Sequence, residues 1–541
     1  MATYFRMRRR SWLAVSLCML IAWSTLPSFA QSADEAALKA RLDKLAQPDG
    51  RKIGSVDIAG SEFLPKLYAA LNYRPVWTPA NVEALSNAIA RSWEDGLAPA
   101  DFHADFVKSA RAGKATVNAA DREVILSDAF VRLLYQLYFG KVAPNGLDPN
   151  WNFTRPVLTE DPVVPIAAAL QSGNIAGLID TVTLKQPLYV ELKALLQQYT
   201  DYEARGGWPA VPDGPALKPG QSDPRIAVLR ERLAVTGEWQ KPAETGTPDV
   251  YDPALVAAVK SFQAMQGLEP DGVLGPGTLA VLNVPASARI SQIRANLERG
   301  RWLLRTMGPE AVIVNVAGFY LHVFLKGEKV WTTRVIVGQS YTKTPIFTEP
   351  MRTVVINPDW TVPQSITRNE VFPKALANPG YLAAGNYEVI DSSGRPVSVD
   401  LAQYTAATFP YRFRQKPGEK NALGLVKFLF PNRYSVYLHD TPSRQLFAKS
   451  GRTFSHGCIR VEDPLKLASI ILGDRLGWPR SKIDSIAAAG KMQSIALPQP
   501  LPVLVLYWTV DPAPENGTAF YNDIYGRDAR LIKALDAPFR P

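Results

Sequence analysis

The 541-residue chain is 47% hydrophobic, 20% charged and 10% aromatic, too long for one ordinary domain and too apolar for a mainly disordered or fibrous chain. Its net charge of +10 suits an anionic partner. Two cysteines and four histidines exclude a disulfide-stapled scaffold and argue against a multi-zinc protein.

The N-terminus reads as an export signal. Arg6, Arg8, Arg9 and Arg10 precede an apolar stretch from Trp12 to about Pro27, and Ser28-Phe29-Ala30 places small residues where a signal peptidase cuts. The stretch falls short of the ~20 residues that span a bilayer comfortably, and no other segment approaches that length. Residues 1–30 are therefore expected to be a signal peptide and the mature chain soluble and periplasmic, with an uncleaved anchor as the alternative. Loss of that segment removes four arginines, no acidic residue and Cys18, leaving a net charge of +6 and Cys458 as the lone thiol. An unpaired cysteine in an oxidising compartment asks for a chemical reason.

Residues 31–205 read as a helical scaffold: Ala36, Leu38, Leu42 and Leu45 recur near helical spacing, as do Leu134, Leu137 and Val142, and Pro75, Pro79 and Asp95-Gly96 divide the segment. His103 is read there as a solvated or capping histidine. Gly206-Gly207 with Pro209, Pro212, Pro215 and Pro219 reads as a linker, opening a small unit of three short helices that ends at 284. Its faces are Ile226/Leu229/Leu233 and Leu255/Val259/Phe262, the second introduced by an Asp252 cap and Pro253, and Gly275-Pro276 starts its last helix. Residues 285–310 are expected to form a linking helix. From 311 to 541 the pattern turns to strands, at Val312/Val314/Val316, Leu321/Val323/Leu325, 333–337, 353–356, 426–430 and 435–438. A polar, Pro/Gly-punctuated insertion at about 366–422 is a candidate lid. The stretch from about 465 to 541 is expected to hold helices and a terminal hairpin of 501–510 and 520–525, turning at Asn516-Gly517. The fold class is thus multidomain α+β.

Two short stretches carry chemistry: Tyr437-Leu438-His439-Asp440 and, after fifteen intervening residues, Ser455-His456-Gly457-Cys458-Ile459-Arg460. A thiol attacks only as thiolate; a histidine can take its proton and a neighbouring cation favours the anion. Gly457 leaves room for a substrate carbonyl and for backbone N–H groups to meet an oxyanion. His456 reads equally as a thiolate-tuning group and as a loop hydrogen bond, Arg460 as a loop support or a carboxylate contact. Tyr437 shares a strand face with His439 and is read as pocket lining, Trp360 as a stacking platform or a core tryptophan, and His322 as a surface histidine. Asp440, adjacent to His439 on a strand, would point to the opposite face.

The His439 spacing and the Ser-His-Gly-Cys-x-Arg pattern resemble the signature of the L,D-transpeptidase catalytic domain. Val335-Ile336-Val337-Gly338 with Thr344-Pro345, the run from Asn357 to Pro363, the run from Asn421 to Phe428 and the residues from Asp523 to Asp528 are similar to its large multidomain members, and the sequence from Val259 to Asn283 resembles the small peptidoglycan-binding domain. The resemblance implies a helical scaffold domain, a peptidoglycan-binding-like domain and a β-rich catalytic domain with an inserted lid. It implies Cys458 as nucleophile, His439 as proton donor and acceptor with its ring oriented by a backbone carbonyl, and Ser455, His456, Gly457 and Arg460 as the supporting or oxyanion loop. No metal or organic cofactor is implied. The implied partners are tetrapeptide stems as donor and acceptor, glycan strands at 206–284 and other cell-wall enzymes; the implied product is a 3→3 cross-link, with acylation by carbapenems. A metal-dependent wall amidase and a non-catalytic wall-binding scaffold protein are the alternatives. Nucleic-acid binding is disfavoured by the absence of a long basic block or a P-loop pattern.

Overall fold

The computed structural model describes residues 33–147, 151–153, 155, 158–240, 248–512 and 517–539. The signal-peptide reading, Cys18 and Asn516 lie outside the described residues.

The N-terminal third packs around one long helix, α1 (Ala119–Phe139), whose first turn is capped by the Asn118 side chain accepting from Asp121 N–H. Leu64, Leu67, Leu85, Phe102, Phe130 and Leu133 form its core. Burial on most sides of α1 strands acidic groups that need donors. Glu123 accepts from Tyr68 Oη at 3.1 Å and from Val76 N–H. Asp128 accepts from Gly60 N–H at 2.7 Å and Arg132 Nε at 2.6 Å and lies 2.8 Å from His103 Nε2. His103 is therefore neither solvated nor a side-chain cap: it satisfies a fully buried carboxylate. A second long helix, α2 (Pro187–Ala204), leaves this core and turns Tyr189, Leu192 and Leu196 toward the C-terminal domain.

The small unit holds α3 (Arg225–Val235), α4 (Pro253–Met265) and α5 (Pro276–Leu282) around Leu229, Leu255, Phe262 and Leu282. Asp252 caps α4 by accepting from Leu255 N–H at 2.8 Å, with Pro253 at the first helical position. The proline run before α3 is not a free linker. Val211 and Leu217 are buried in this core, and Val211 exchanges two 2.8 Å hydrogen bonds with Asn283, closing the unit on itself.

Helix α6 (Ala286–Leu303) follows, buried almost throughout from Ile293 onward. A helix buried on all sides must pair its charges. Arg299 meets Asp528 at 2.6 Å; Arg301 meets Glu298 at 2.6 Å and donates to Tyr189 Oη on α2 at 2.7 Å and to Asp95 O at 2.8 Å. Thus α6 ties the helical third to the C-terminal domain.

That domain is a closed sheet. Its strands are β1 (Ala311–Asn315), β2 (Tyr320–Leu325), β3 (Glu328–Gly338), β4 (Phe347–Ile356), β9 (Val426–Leu429), β10 (Leu438–His439), β11 (Thr453–Ser455), β12 (Ile459–Val461) and β13 (Gln493–Leu506). They run in the order β11-β3-β12-β10-β9-β4-β13-β1-β2, and β2 also pairs with the first half of β3, so no long edge is left open. Helices α7 (Pro464–Leu476) and α8 (Arg480–Ala488) cover one side, and α9 (Arg527–Asp536) packs on α6. The expected terminal hairpin is mostly something else: 493–506 is one long barrel strand between β4 and β1, because its apolar residues complete the core. The hairpin proper is only β14 (Val510–Asp511) with β15 (Ala519–Phe520).

Between β4 and β9 lies an inserted four-stranded sheet, ordered β5 (Trp360–Thr361), β8 (Arg412–Gln415), β6 (Tyr387–Ile390), β7 (Pro396–Val397), with its own core of Val362, Phe372, Val389, Phe409 and Phe413. The insertion begins at Trp360 rather than 366, since Trp360 pairs with Gln415. Asn421 Nδ2 closes its neck with bonds to the carbonyls of Pro358 at 3.0 Å and Gln415 at 3.2 Å.

Candidate active site

Strand register sets the site. Strands β10 and β12 are parallel, with Leu438 opposite Ile459 and His439 opposite Arg460, and β9 is antiparallel to β10, with Lys427 opposite His439. Side chains alternate between the two faces. Phe428, Leu438 and Ile459 therefore fill the barrel core, while Lys427, His439 and Arg460 form a row on the other face. Tyr437 and Cys458 lie one pleat away on that same face, and Ile459 N–H donates to Tyr437 O across them. Sequence spacing alone does not reveal Lys427; its place opposite His439 comes from the pairing of β9.

The loop between β11 and β12 is held by short polar bonds. Ser455 Oγ donates to Cys458 O at 2.5 Å and accepts from Gly457 N–H at 3.1 Å. Thr342 Oγ1 donates to Ser455 O at 3.1 Å and Thr344 Oγ1 to Gly457 O at 3.0 Å. Gly457 sits at φ +115°, open to glycine but strained for other residues. Its N–H is already taken by Ser455. Among the described residues no acceptor meets Cys458 N–H, which leaves that group able to donate to a substrate oxygen.

His439 is 5% exposed, and its Nδ1 donates to the backbone carbonyl of Asp440 at 2.5 Å. A carbonyl can only accept, so Nδ1 carries the proton and Nε2 is left as the basic nitrogen. The Asp440 carboxylate faces away: it accepts from Thr441 N–H at 2.7 Å and Leu425 N–H at 2.9 Å. It fits there because Gly424, at φ +57°, has no Cβ to collide with it. Burial, then the nearby charges of Arg460 and Lys427, hold His439 down to about 3.

The thiol of Cys458 points to Ser435 O at 3.6 Å. Burial pushes it up; hydrogen bonds from the Tyr437 backbone and hydroxyl, with Lys427 and Arg460, act against that without reversing it. Both groups are thereby held toward their neutral forms. Tyr437 lies 5.5 Å from the His439 ring between centroids, and the Trp360 side chain stands near enough to act on its hydroxyl. Trp360 therefore links the inserted sheet to the site while packing on that sheet's core.

The alternatives left open for two residues narrow here. His456 turns outward and meets Glu370 of the insertion, Nε2 to Oε1 at 2.8 Å, so it ties the loop to the insertion. Arg460 donates no hydrogen bond to the loop, among the described residues, and stands on the open face beside Cys458. His322 sits on β2 with Nδ1 2.9 Å from Thr332 Oγ1, outside this row. Among the described residues no three of His, Cys, Asp and Glu gather closely enough to hold a metal ion.

Comparison with known proteins agrees with this layout. The family model described as "L,D-transpeptidase catalytic domain" matches residues 309–484, "Scaffold domain" matches 62–196, and "Putative peptidoglycan binding domain" matches 222–282. A curated protein of Haemophilus influenzae named "Putative L,D-transpeptidase" is 36% identical over 224 residues, covering 41% of this chain and 45% of that protein; the chain thus spans under half the length of the relative it matches. A solved L,D-transpeptidase fragment from Xylanimonas cellulosilytica aligns over 55% of this chain and 99% of its own at 17% identity, with a TM-score of 0.17. That score is too low to carry an argument. With the cysteine-histidine row inside the first of these matches, residues 309–484 match the L,D-transpeptidase catalytic domain, joined in this chain to segments that match a scaffold domain and a domain of the peptidoglycan-binding type.

Proposed function

We propose that this chain is an exported, cysteine-dependent L,D-transpeptidase that forms 3→3 cross-links in peptidoglycan. The observation that carries the reading is the common face of Cys458 and His439, with the imidazole fixed in the tautomer that can accept a proton at Nε2. The Cys458 sulfur attacks the carbonyl of the L,D bond before the terminal D-alanine of a tetrapeptide stem, its proton passing to His439 Nε2. The Cys458 N–H meets the oxyanion. Collapse breaks the amide, His439 returns the proton to the leaving amine, and D-alanine departs from a thioester. The side-chain amine of a second stem then gives its proton to His439, attacks the thioester carbonyl and expels the sulfur, which recovers a proton as thiol. The insertion, tied to the loop through His456 and Glu370, limits water and so favours amine over hydrolysis.

The domain limits we assign are 1–30 for the signal, 31–205 for the scaffold, 206–284 for wall binding and 311–541 for catalysis, with 285–310 as link. Glycan binding at 206–284, a periplasmic location and acylation by carbapenems belong to the same proposal. No helix among the described residues is long and apolar enough to cross a membrane. The test is incubation with disaccharide-tetrapeptide and mass spectrometry of the products. A dimer lacking one D-alanine, absent with Cys458→Ala, is the expected outcome; a dimer that persists in Cys458→Ala rejects the reading.

A further inference from the structure

The row beside the thiol contains two cations that no side chain answers. Lys427 and Arg460 flank His439 on the open face, one strand to each side. Among the described residues neither forms an ion pair or donates a hydrogen bond, although the chain has many well-formed pairs elsewhere. Lys427 Nζ lies 4.2 Å from the centroid of the Tyr437 ring, and both cations stand close enough to the Cys458 sulfur for a thiolate there to act on them. Asp359 acts on Lys427 from beyond ion-pair reach. Two half-buried, unanswered cations beside a nucleophile are costly unless something anionic arrives.

We propose that Lys427, with Arg460, is an anion subsite that recognises a carboxylate of the donor stem while Cys458 attacks. This rests on the transpeptidase reading and deepens it by naming the donor class: peptides with a free carboxylate within about one residue, roughly 3.6 Å of chain, of the scissile carbonyl. Two carboxylates have that chemistry, on the leaving residue and on the side chain of the acyl residue. Lys427 acts as a specificity residue. It reaches the site from β9, opposite Arg460 on β12, so an anion between them would lie over His439, one pleat from the thiol.

The test does not depend on cross-linking. Cys458, the only described cysteine, is alkylated with iodoacetate and with the neutral iodoacetamide, and the ratio of the two rates is read by mass spectrometry of its peptide. The folded protein is expected to favour iodoacetate more than the urea-unfolded chain does. Lys427→Met is expected to lower that ratio about tenfold, a modest effect for one charge a few ångströms away, and Lys427→Arg to retain it, with thermal unfolding confirming that both variants fold. An unchanged ratio, equal slowing of both reagents, or failure of either reagent to reach Cys458 in the folded protein overturns the proposal. With peptide donors, Lys427→Met is expected to raise KM more than it lowers kcat. Amidating the leaving residue or the side-chain carboxylate shows which one is read: the modification that abolishes the difference between wild type and Lys427→Met marks it, and a difference surviving both overturns the subsite. A shifted alkylation ratio without any acyl transfer would leave the subsite standing and reject the transpeptidase reading.

Discussion

At the scale of single residues, the site works from neutral partners. His439 has its proton affinity held down by burial and by two neighbouring cations, and Cys458 has its own raised by burial. The alkylation rate of Cys458 by iodoacetamide is therefore expected to climb with pH into and beyond the ordinary thiol range, with no inflection near pH 6.5. A plateau reached by pH 6 would reveal a thiolate–imidazolium pair instead. The same burial links folding to pH. An unfolded His439 protonates below about 6.5 while the folded one resists until about 3, so the unfolded state binds more protons in that window and stability falls as pH falls. His439→Gln is expected to lose less stability than wild type between pH 7 and 4, by on the order of 2 kcal/mol, read as the difference in urea midpoints multiplied by slope. The pairing of Cys458 with His439 was legible in the sequence because the lone thiol of the mature chain sits in a Ser-His-Gly-Cys loop at a recognisable spacing from His439. Lys427 was not, since its role depends on which strand pairs with β10. Glu370 was hidden too, because the bond to His456 crosses from a separately folded insertion.

At the scale of elements, alternation and capping made most of the parts readable. Asp252-Pro253 starts α4, and the paired apolar residues of β1 and β2 mark their inward faces. What escaped was long-range pairing. The 501–506 segment looks like half a hairpin by its neighbours, yet the barrel takes it because β4 and β1 would otherwise each keep one open edge. The inserted sheet similarly begins at Trp360, just after Asn357-Pro358-Asp359, a turn signal that does not by itself announce a separate sheet. Its private core predicts separable behaviour: Phe413 is fully buried there, and Phe413→Ala is expected to cost the insertion about 3–5 kcal/mol. Limited proteolysis should then cut within 366–422 and cross-linking should collapse, while the main unfolding transition stays near that of wild type. Loss of the whole fold would show that the insertion is not an independent unit.

At the scale of the whole molecule, α6 decides how the pieces hold together. Its charges are paired with groups from the helical third and from the C-terminus, so the scaffold core and the barrel share a buried polar seam. Arg299→Met would leave Asp528 buried without its cation, expected to cost about 3–5 kcal/mol, whereas the small helical unit, with its own closed core, should unfold where it did before. Calorimetry of the variant should show the scaffold and barrel transitions falling together; a shift in only one of them would mean that α6 links them less than its contacts indicate. The domain order was legible from composition shifts along the chain, but this seam was not, because a basic helix reads as a solvated linker until its partners are known.

The central claim is covalent chemistry at Cys458 in a site formed with His439, and trapping the acyl-enzyme tests it most directly. The protein is mixed with a tetrapeptide donor in the absence of acceptor, quenched in acid and mapped by intact-mass and peptide mass spectrometry. The account predicts an adduct equal to the donor less its terminal alanine, located on Cys458, absent with Cys458→Ala and strongly reduced with His439→Gln. An adduct on another residue, or donor turnover by Cys458→Ala, would contradict it.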